Sequence, residues 1–156
     1  MLTQTVEYAL RAMMCLAAHE GGAQTSVEIA ARTGVPKGYL SKVLRGLVCA
    51  ELVRSYRGPH GGFTLARSID AISVLDVVSA VEPIPRIRSC PLENPMHSNL
   101  CPLHQCLDNA LAQLEETFGS TTLGAVVESC ATTEGCRALF PTTPITWKDA
   151  SRDRSA

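Results

Sequence analysis

Three cysteines and two histidines fall within 17 residues, between Cys90 and Cys106. Cys90, Cys101 and Cys106 are spaced C-x10-C-x4-C, with His97 and His104 between them. Thiolates and imidazoles gathered in one short stretch are the donors that hold zinc or an iron–sulfur cluster. Pro91, Pro95 and Pro102 make the stretch a poor helix and a poor strand, and few large apolar side chains are available to order it. A bound metal or cluster would supply that order. The plain alternative is a surface loop with unpaired thiols.

A second group could do chemistry of another kind. From Arg32 to Arg67 seven basic residues (Arg32, Lys37, Lys42, Arg45, Arg54, Arg57 and Arg67) face one acidic residue, Glu51, in a chain of net charge −1. The rest of the chain is therefore acidic, and the basic segment marks where an anionic partner would sit. A solvated charged face is the alternative until its elements are considered.

Those elements follow from periodicity. Residues 2–19 place Leu2, Val6, Ala9, Leu10, Met13, Met14 and Ala17 on one face of a helix, with Glu7 and Arg11 paired at i, i+4 on another. Gly21 and Gly22 end it. Thr25 or Ser26 caps a short second helix, with Glu28 in its first turn and Val27, Ile29 and Ala30 as its apolar side, stopping at Gly34. Pro36 opens a third helix, about 36–49. Leu40, Val43, Leu44 and Leu47 form its buried stripe, while Lys37, Gly38, Ser41, Lys42 and Arg45 lie opposite. Two short helices crossing through a tight turn make a helix-turn-helix.

Val53–Arg57 and Gly62–Ala66 read as strands joined by Gly-Pro-His-Gly, a hairpin directly behind the helix-turn-helix and hence a wing. Arg57 sits at its tip among glycines, suited to a narrow groove. Together these features ask for a phosphate backbone. A further helix is expected over 73–81, closed by Pro83 and Pro85. Beyond the cysteine loop, Leu103, Leu107, Ala110, Leu111, Leu114 and Phe118 form a seam fit for another helix, of this chain or of a second subunit. Thr121 or Thr122 caps a short last helix packed by Leu123, Val126 and Val127, and a flexible tail is expected from about 131.

The domain expectation is therefore a mainly α, winged helix-turn-helix DNA-binding unit over 1–82, a cysteine-rich loop over 83–106, a dimerisation helix and short capping helix over 107–130, and a tail over 131–156. Hydrophobic residues are 46% and aromatics 4% of 156, which leans towards helix and suffices for a real core. The start lacks a basic, then apolar, leader, and no apolar run is long enough for a membrane, so a cytoplasmic location is expected. In that reducing setting seven cysteines speak for metal or redox chemistry over disulfides. Cys15 and Cys49, inside helices, read as small buried residues, and Cys130 and Cys136 as thiols at or in the tail. No Ser/His/Asp arrangement, phosphate-cradling loop or pair of catalytic carboxylates appears, so an enzyme is not expected.

Over about residues 1–130 the chain resembles the IscR/NsrR-type (Rrf family) bacterial winged-helix regulators. The resemblance rests on Met-Leu-Thr-Gln-Thr-Val-Glu-Tyr-Ala-Leu-Arg-Ala at the start, Gly-Tyr-Leu-Ser-Lys-Val-Leu in the third helix and Val-Arg-Ser-Tyr-Arg-Gly-Pro-His-Gly-Gly-Phe-Thr-Leu-Ala-Arg in the wing. Cys-Leu-Asp-Asn-Ala-Leu and Thr-Thr-Leu fit further on. It implies a homodimer, and a two-fold dimer should meet a pseudo-palindromic operator in double-stranded DNA, with Lys37, Gly38, Tyr39, Ser41, Lys42, Arg45, Arg57, Gly58, His60 and Gly61 as the expected contacts. It also implies an iron–sulfur cluster, 2Fe–2S or 4Fe–4S, held by Cys90, Cys101 and Cys106 and sensitive to redox state, nitric oxide or cluster supply. One branch takes a histidine three residues after the last cysteine as fourth ligand, where this chain has Asn109. The other takes an acidic residue from the partner's first helix, a position Glu7 occupies. The first cysteine gap of ten exceeds the usual five or so, which leaves His97 and His104 as competing ligands. Ser41 stands where IscR itself carries a glutamate, so the base preference need not carry over. A zinc site of Cys90, Cys101, Cys106 and His104, or a metal-free thiol switch, stays open.

Overall fold

The computed structural model describes residues 3–19, 22–58, 61–89 and 100–132. Leu2, Gly21, His60, Cys90, His97, Cys136 and the expected tail past Thr132 lie outside them. Six helices and one hairpin follow in the order α1 (Gln4–Ala17), α2 (Ser26–Thr33), α3 (Lys37–Cys49), β1 (Val53–Tyr56), β2 (Gly62–Leu65), α4 (Val74–Val81), α5 (Pro102–Ser120) and α6 (Leu123–Thr132). A single 3-10 turn, Ile69–Ala71, precedes α4. The architecture is the mainly α winged helix-turn-helix that the periodicities describe.

α1, α2, α4 and α6 each begin where a side chain satisfies one of their first amides. Thr3 caps α1, Thr25 forms a reciprocal capping box with Glu28 on α2, and Ser73 does the same with Asp76 on α4. Thr122 Oγ1 accepts from the Ala125 amide at 3.1 Å at the start of α6. The core joins α1 to α4 and the hairpin base: Met13, Ile29, Leu40, Leu44, Leu47, Leu52, Ile72 and Leu123 are fully buried. Leu123 reaches it because residues 121–123 return alongside the start of α4. There the Val74 amide donates to the Thr121 carbonyl and the Leu123 amide to the Ile72 carbonyl, each at 2.9 Å.

Three expectations need correcting. Val27 is 55% exposed, because the eight-residue α2 turns Ile29, Ala30 and Thr33 inward and leaves Val27 on its flank. Cys49, the last residue of α3, is exposed rather than buried. The helix after the cysteine loop starts at Pro102, with Cys101 as its N-cap, so His104 and Cys106 lie on α5. Proline at the first helical position loses no hydrogen bond, which explains why the helix extends back this far. Cys130 lies on α6 and is half-buried. No described helix is long and apolar enough to cross a membrane.

Candidate nucleic-acid interface and thiol site

α3 presents the expected stripe. Lys37, Gly38, Tyr39, Ser41, Lys42 and Arg45 are all exposed, while Leu40, Val43, Leu44 and Leu47 are buried on the opposite side. Tyr39 leans on the buried Tyr8 of α1 edge-on, ring centres 5.9 Å apart, which fixes the start of α3 against the core. The exposed Ser41 hydroxyl donates to the Lys37 carbonyl at 3.0 Å.

The wing is an antiparallel pair in the register Val53↔Leu65, Arg54↔Thr64, Ser55↔Phe63 and Tyr56↔Gly62. Arg57 follows the last pair directly and is exposed at the tip, next to Gly58 at φ 112. The Gly61 amide closes the turn onto the Gly58 carbonyl at 2.9 Å. His60 lies outside the described residues. The wing has a second anchor that no periodicity announces. Gln24, in the turn before α2, exchanges two backbone hydrogen bonds with Phe63 at 3.0 and 2.8 Å.

The charges on this face are uncommitted. Among the described residues the ion pairs are Arg11–Glu7, Arg86–Asp108 and Arg86–Glu115. Lys37, Lys42, Arg45, Arg54, Arg57 and Arg67 enter none of them, so their charge is available to an outside anion. Arg32 differs: half-buried, it donates to Gln24 Oε1 at 2.9 Å and lies 3.3 Å from His19 Nδ1. It serves the interior, and the basic face is smaller by one than the composition implies.

Two of the three expected thiols lie at the start of α5, Cys101 as its N-cap and Cys106 within its second turn, while Cys90 and His97 lie outside the described residues. Cys101 Sγ lies 3.1 Å from His104 Nδ1, neighbours because i and i+3 share a helix face. Cys106 is exposed, and five residues of helix turn it about 140° away from Cys101. Asn109 accepts from Gln105 Nε2 at 2.9 Å through its amide oxygen. Glu7 is exposed on α1 and bonded to the Arg11 guanidinium, which also donates to the Thr33 carbonyl at 3.5 Å. Among the described residues no three His, Cys, Asp or Glu side chains converge on one point. The buried Cys15 stands apart: its thiol donates to Gln24 Oε1 at 3.6 Å, and burial pushes its pKa up against the weaker pull of Arg32.

One constellation escaped the sequence. Arg86 grips Asp108 with two parallel bonds, Nε to Oδ1 and Nη2 to Oδ2, each 2.7 Å, and donates from Nη1 to Glu115 at 2.9 Å. The Ile87 amide adds a bond to Asp108 Oδ1 at 2.9 Å. Asp108 is buried, and the guanidinium holds its carboxyl down at about 2, with the Ile87 amide adding to the effect.

Comparison with known proteins places this geometry among regulators. The sequence model of the Rrf2 family, described as iron-dependent transcriptional regulator, matches residues 2–129. The HTH-type transcriptional regulator IscR of Sodalis glossinidius (strain morsitans) is 33% identical over 130 residues, 82% of this chain and 79% of that one. The solved structure of T. potens IscR superposes with a TM-score of 0.70 at 27% identity, covering 85% of this chain and 91% of its own. CymR (YrzC), the global cysteine regulator of B. subtilis, gives 0.68 at 27% identity, covering 83% and 97%.

Proposed function

The chain belongs to the Rrf2 family of transcriptional regulators, and from that premise we propose that it is a homodimeric, operator-binding sensor of redox state, nitric oxide or iron–sulfur status. It is a regulator of the IscR and CymR type, not an enzyme. The single observation that carries operator binding is the set of exposed cations on α3 and the wing that have no ion-pair partner among the described residues. In a two-fold dimer the two α3 helices would enter successive major grooves about 34–36 Å apart, which calls for a pseudo-palindrome. Lys37, Lys42 and Arg45 would meet phosphates or guanines, and Arg57 a minor groove. The seam of α5 supports the dimer, since Leu103 and Leu107 are 65% and 47% exposed on it.

The sensing centre in this reading is an iron–sulfur cluster held by Cys90, Cys101 and Cys106 of one subunit and Glu7 of the other. The chemistry of the donors fits: Cys101 and Cys106 are thiols at one helix end, of the kind that ligate iron. A closed zinc site of Cys90, Cys101, Cys106 and His104 draws on the same thiols and is the alternative that metal analysis must separate. When bound, the cluster would supply reactivity towards oxidants and nitric oxide. Cys101 and Cys106 would anchor it at the base of α5, and a change there would reset the reading heads with a coupling of about 1–3 kcal/mol.

The contact between Cys101 and His104 favours a second reading, a metal-free thiol switch in which Cys101 reacts directly. Metal and sulfide analysis of protein purified without air separates the readings. A brown protein with visible charge-transfer bands supports the cluster, a colourless one with stoichiometric zinc a structural metal, and a colourless metal-free one the thiol switch.

A further inference from the structure

The segment from Glu82 to Ile87, between α4 and the cysteine loop, is bonded at both ends. At its start the Glu82 amide donates to the Val78 carbonyl at 2.9 Å, and the Glu82 carboxylate accepts from the hydroxyl of Thr3, the N-cap of α1. At its end Arg86 and Ile87 together place three donors on the Asp108 carboxylate, and Arg86 places a fourth on Glu115. Pro83 and Pro85 lie between, each fixing its own φ and restricting the residue before it. The segment is therefore a stiff strut, fixed to the DNA-reading body at one end and to α5 at the other.

The far attachment lies on the turn of α5 that carries Cys106. Asp108 follows Cys106 by two residues on α5, and Asp108 and Glu115 lie two turns apart on one face of that helix. A bidentate Arg–carboxylate fork sets direction as well as distance, since both partners are planar. Held at Asp108 and again at Glu115, α5 can neither roll about its axis nor slide along the strut without breaking the fork.

We infer that Arg86 is a positioning residue for the thiol-bearing end of α5: through Asp108 it fixes the turn that carries Cys106 against the DNA-reading body. It would touch neither metal nor DNA. Its effect would pass through Asp108 to the thiol and through the strut to α1 and α4, as groups that brace a ligand's own element tune the centre the ligand holds. The inference rests on the thiols being ligands, as proposed above.

The test is anaerobic reconstitution of the full-length protein with ferrous iron and sulfide, for the parent, Arg86→Ala and Arg86→Lys. Visible circular dichroism and cluster lifetime are followed, with far-UV dichroism to confirm helix content. Arg86→Ala should lose cluster at least fivefold faster, with an altered visible band pattern. Arg86→Lys keeps the charge and a single hydrogen bond, and should fall between. A loss of fold alone would change helix content without changing the band pattern of whatever cluster remains. If Arg86→Ala keeps the parental bands and lifetime, the inference is wrong; where it does not fold, a folded lysine variant with parental behaviour overturns it equally. A parent that takes up no iron would sink this inference and the cluster reading together, whereas an indifferent Arg86 variant of an iron-binding parent would remove the inference alone.

Discussion

Gln24 and Phe63 are joined by two backbone hydrogen bonds, of 3.0 and 2.8 Å, which tie the wing to the turn that starts the helix-turn-helix. The contact brings the Gln24 carbonyl against Gly62, where a Cβ would come within 2.6 Å of its oxygen. Backbone on both sides cannot yield cheaply. Gly62→Ala should therefore cost about 1–3 kcal/mol of stability, as overpacking does, and weaken operator binding by displacing the wing. Urea denaturation and titration of operator DNA measure the two effects. Parental values in both would mean that the anchor is dispensable.

Arg57 tests the wing itself. With the guanidinium exposed at the tip and without an ion-pair partner among the described residues, Arg57→Ala should weaken operator binding by about 1–3 kcal/mol and flatten its salt dependence. Parental binding should itself fall steeply with salt, in proportion to the phosphates neutralised. An unchanged affinity and salt slope would remove Arg57 from the interface.

What the sequence revealed and what it hid divide along physical lines. The buried stripe of α3 and the glycine-rich wing turn follow rules of spacing and turn chemistry that act within a few residues, and both are found where those rules put them. Gln24 carried no such signal, since a single polar residue that pairs through its backbone has no period. Arg86 and Asp108 are 22 residues apart, with the cysteine loop between, so nothing local connects them. Val27 and Cys49 misled for another reason: their type suits a core, but α2 and the last turn of α3 present them outward. At the thiol site the residue types were legible, whereas the start of α5 was obscured by Pro102 itself, which reads as a breaker inside a helix but is tolerated at its first position.

The cysteines should sort into two groups. Cys90→Ala, Cys101→Ala and Cys106→Ala are each expected to abolish or strongly destabilise the cluster, because losing a thiolate opens an iron to solvent. Replacing Cys15, Cys49, Cys130 or Cys136 should leave the visible spectrum intact. An unaltered spectrum in the Cys101 variant would mean that the long first gap conceals a different ligand set.

Cys15 also makes a prediction in alkali. Burial raises its folded pKa above the ordinary 9.0, with Arg32 acting weakly the other way. A raised folded pKa stabilises the fold fully below the unfolded value and loses that contribution as pH rises past it. The parent should therefore lose stability more steeply above about pH 9 than Cys15→Ala does, although the variant starts lower through the lost packing. Parallel pH profiles in thermal melts would refute the thiol's part.

Glu7 carries the riskiest prediction. In the single chain it pairs with Arg11 at i, i+4, a contact between side chains 55% and 40% exposed that contributes only about 0.2–0.5 kcal/mol on a helix. So small a bond leaves the carboxylate free to turn to a stronger partner. Asn109 offers a neutral amide, already engaged with Gln105, in the place where one branch of the family has a histidine ligand. If Glu7 completes the partner subunit's centre, Glu7→Ala should fold and dimerise but lose cluster faster, with altered visible bands. If the carboxylate serves only Arg11, the variant should keep parental bands and lifetime, and attention would pass to His104 and then His97. Mixed dimers of Glu7→Ala and Cys106→Ala subunits sharpen the choice. Donation across the dimer gathers both defects into one site and leaves the other whole, so half the cluster should survive with parental properties. Donation within a subunit would damage both sites, and no parental cluster would remain.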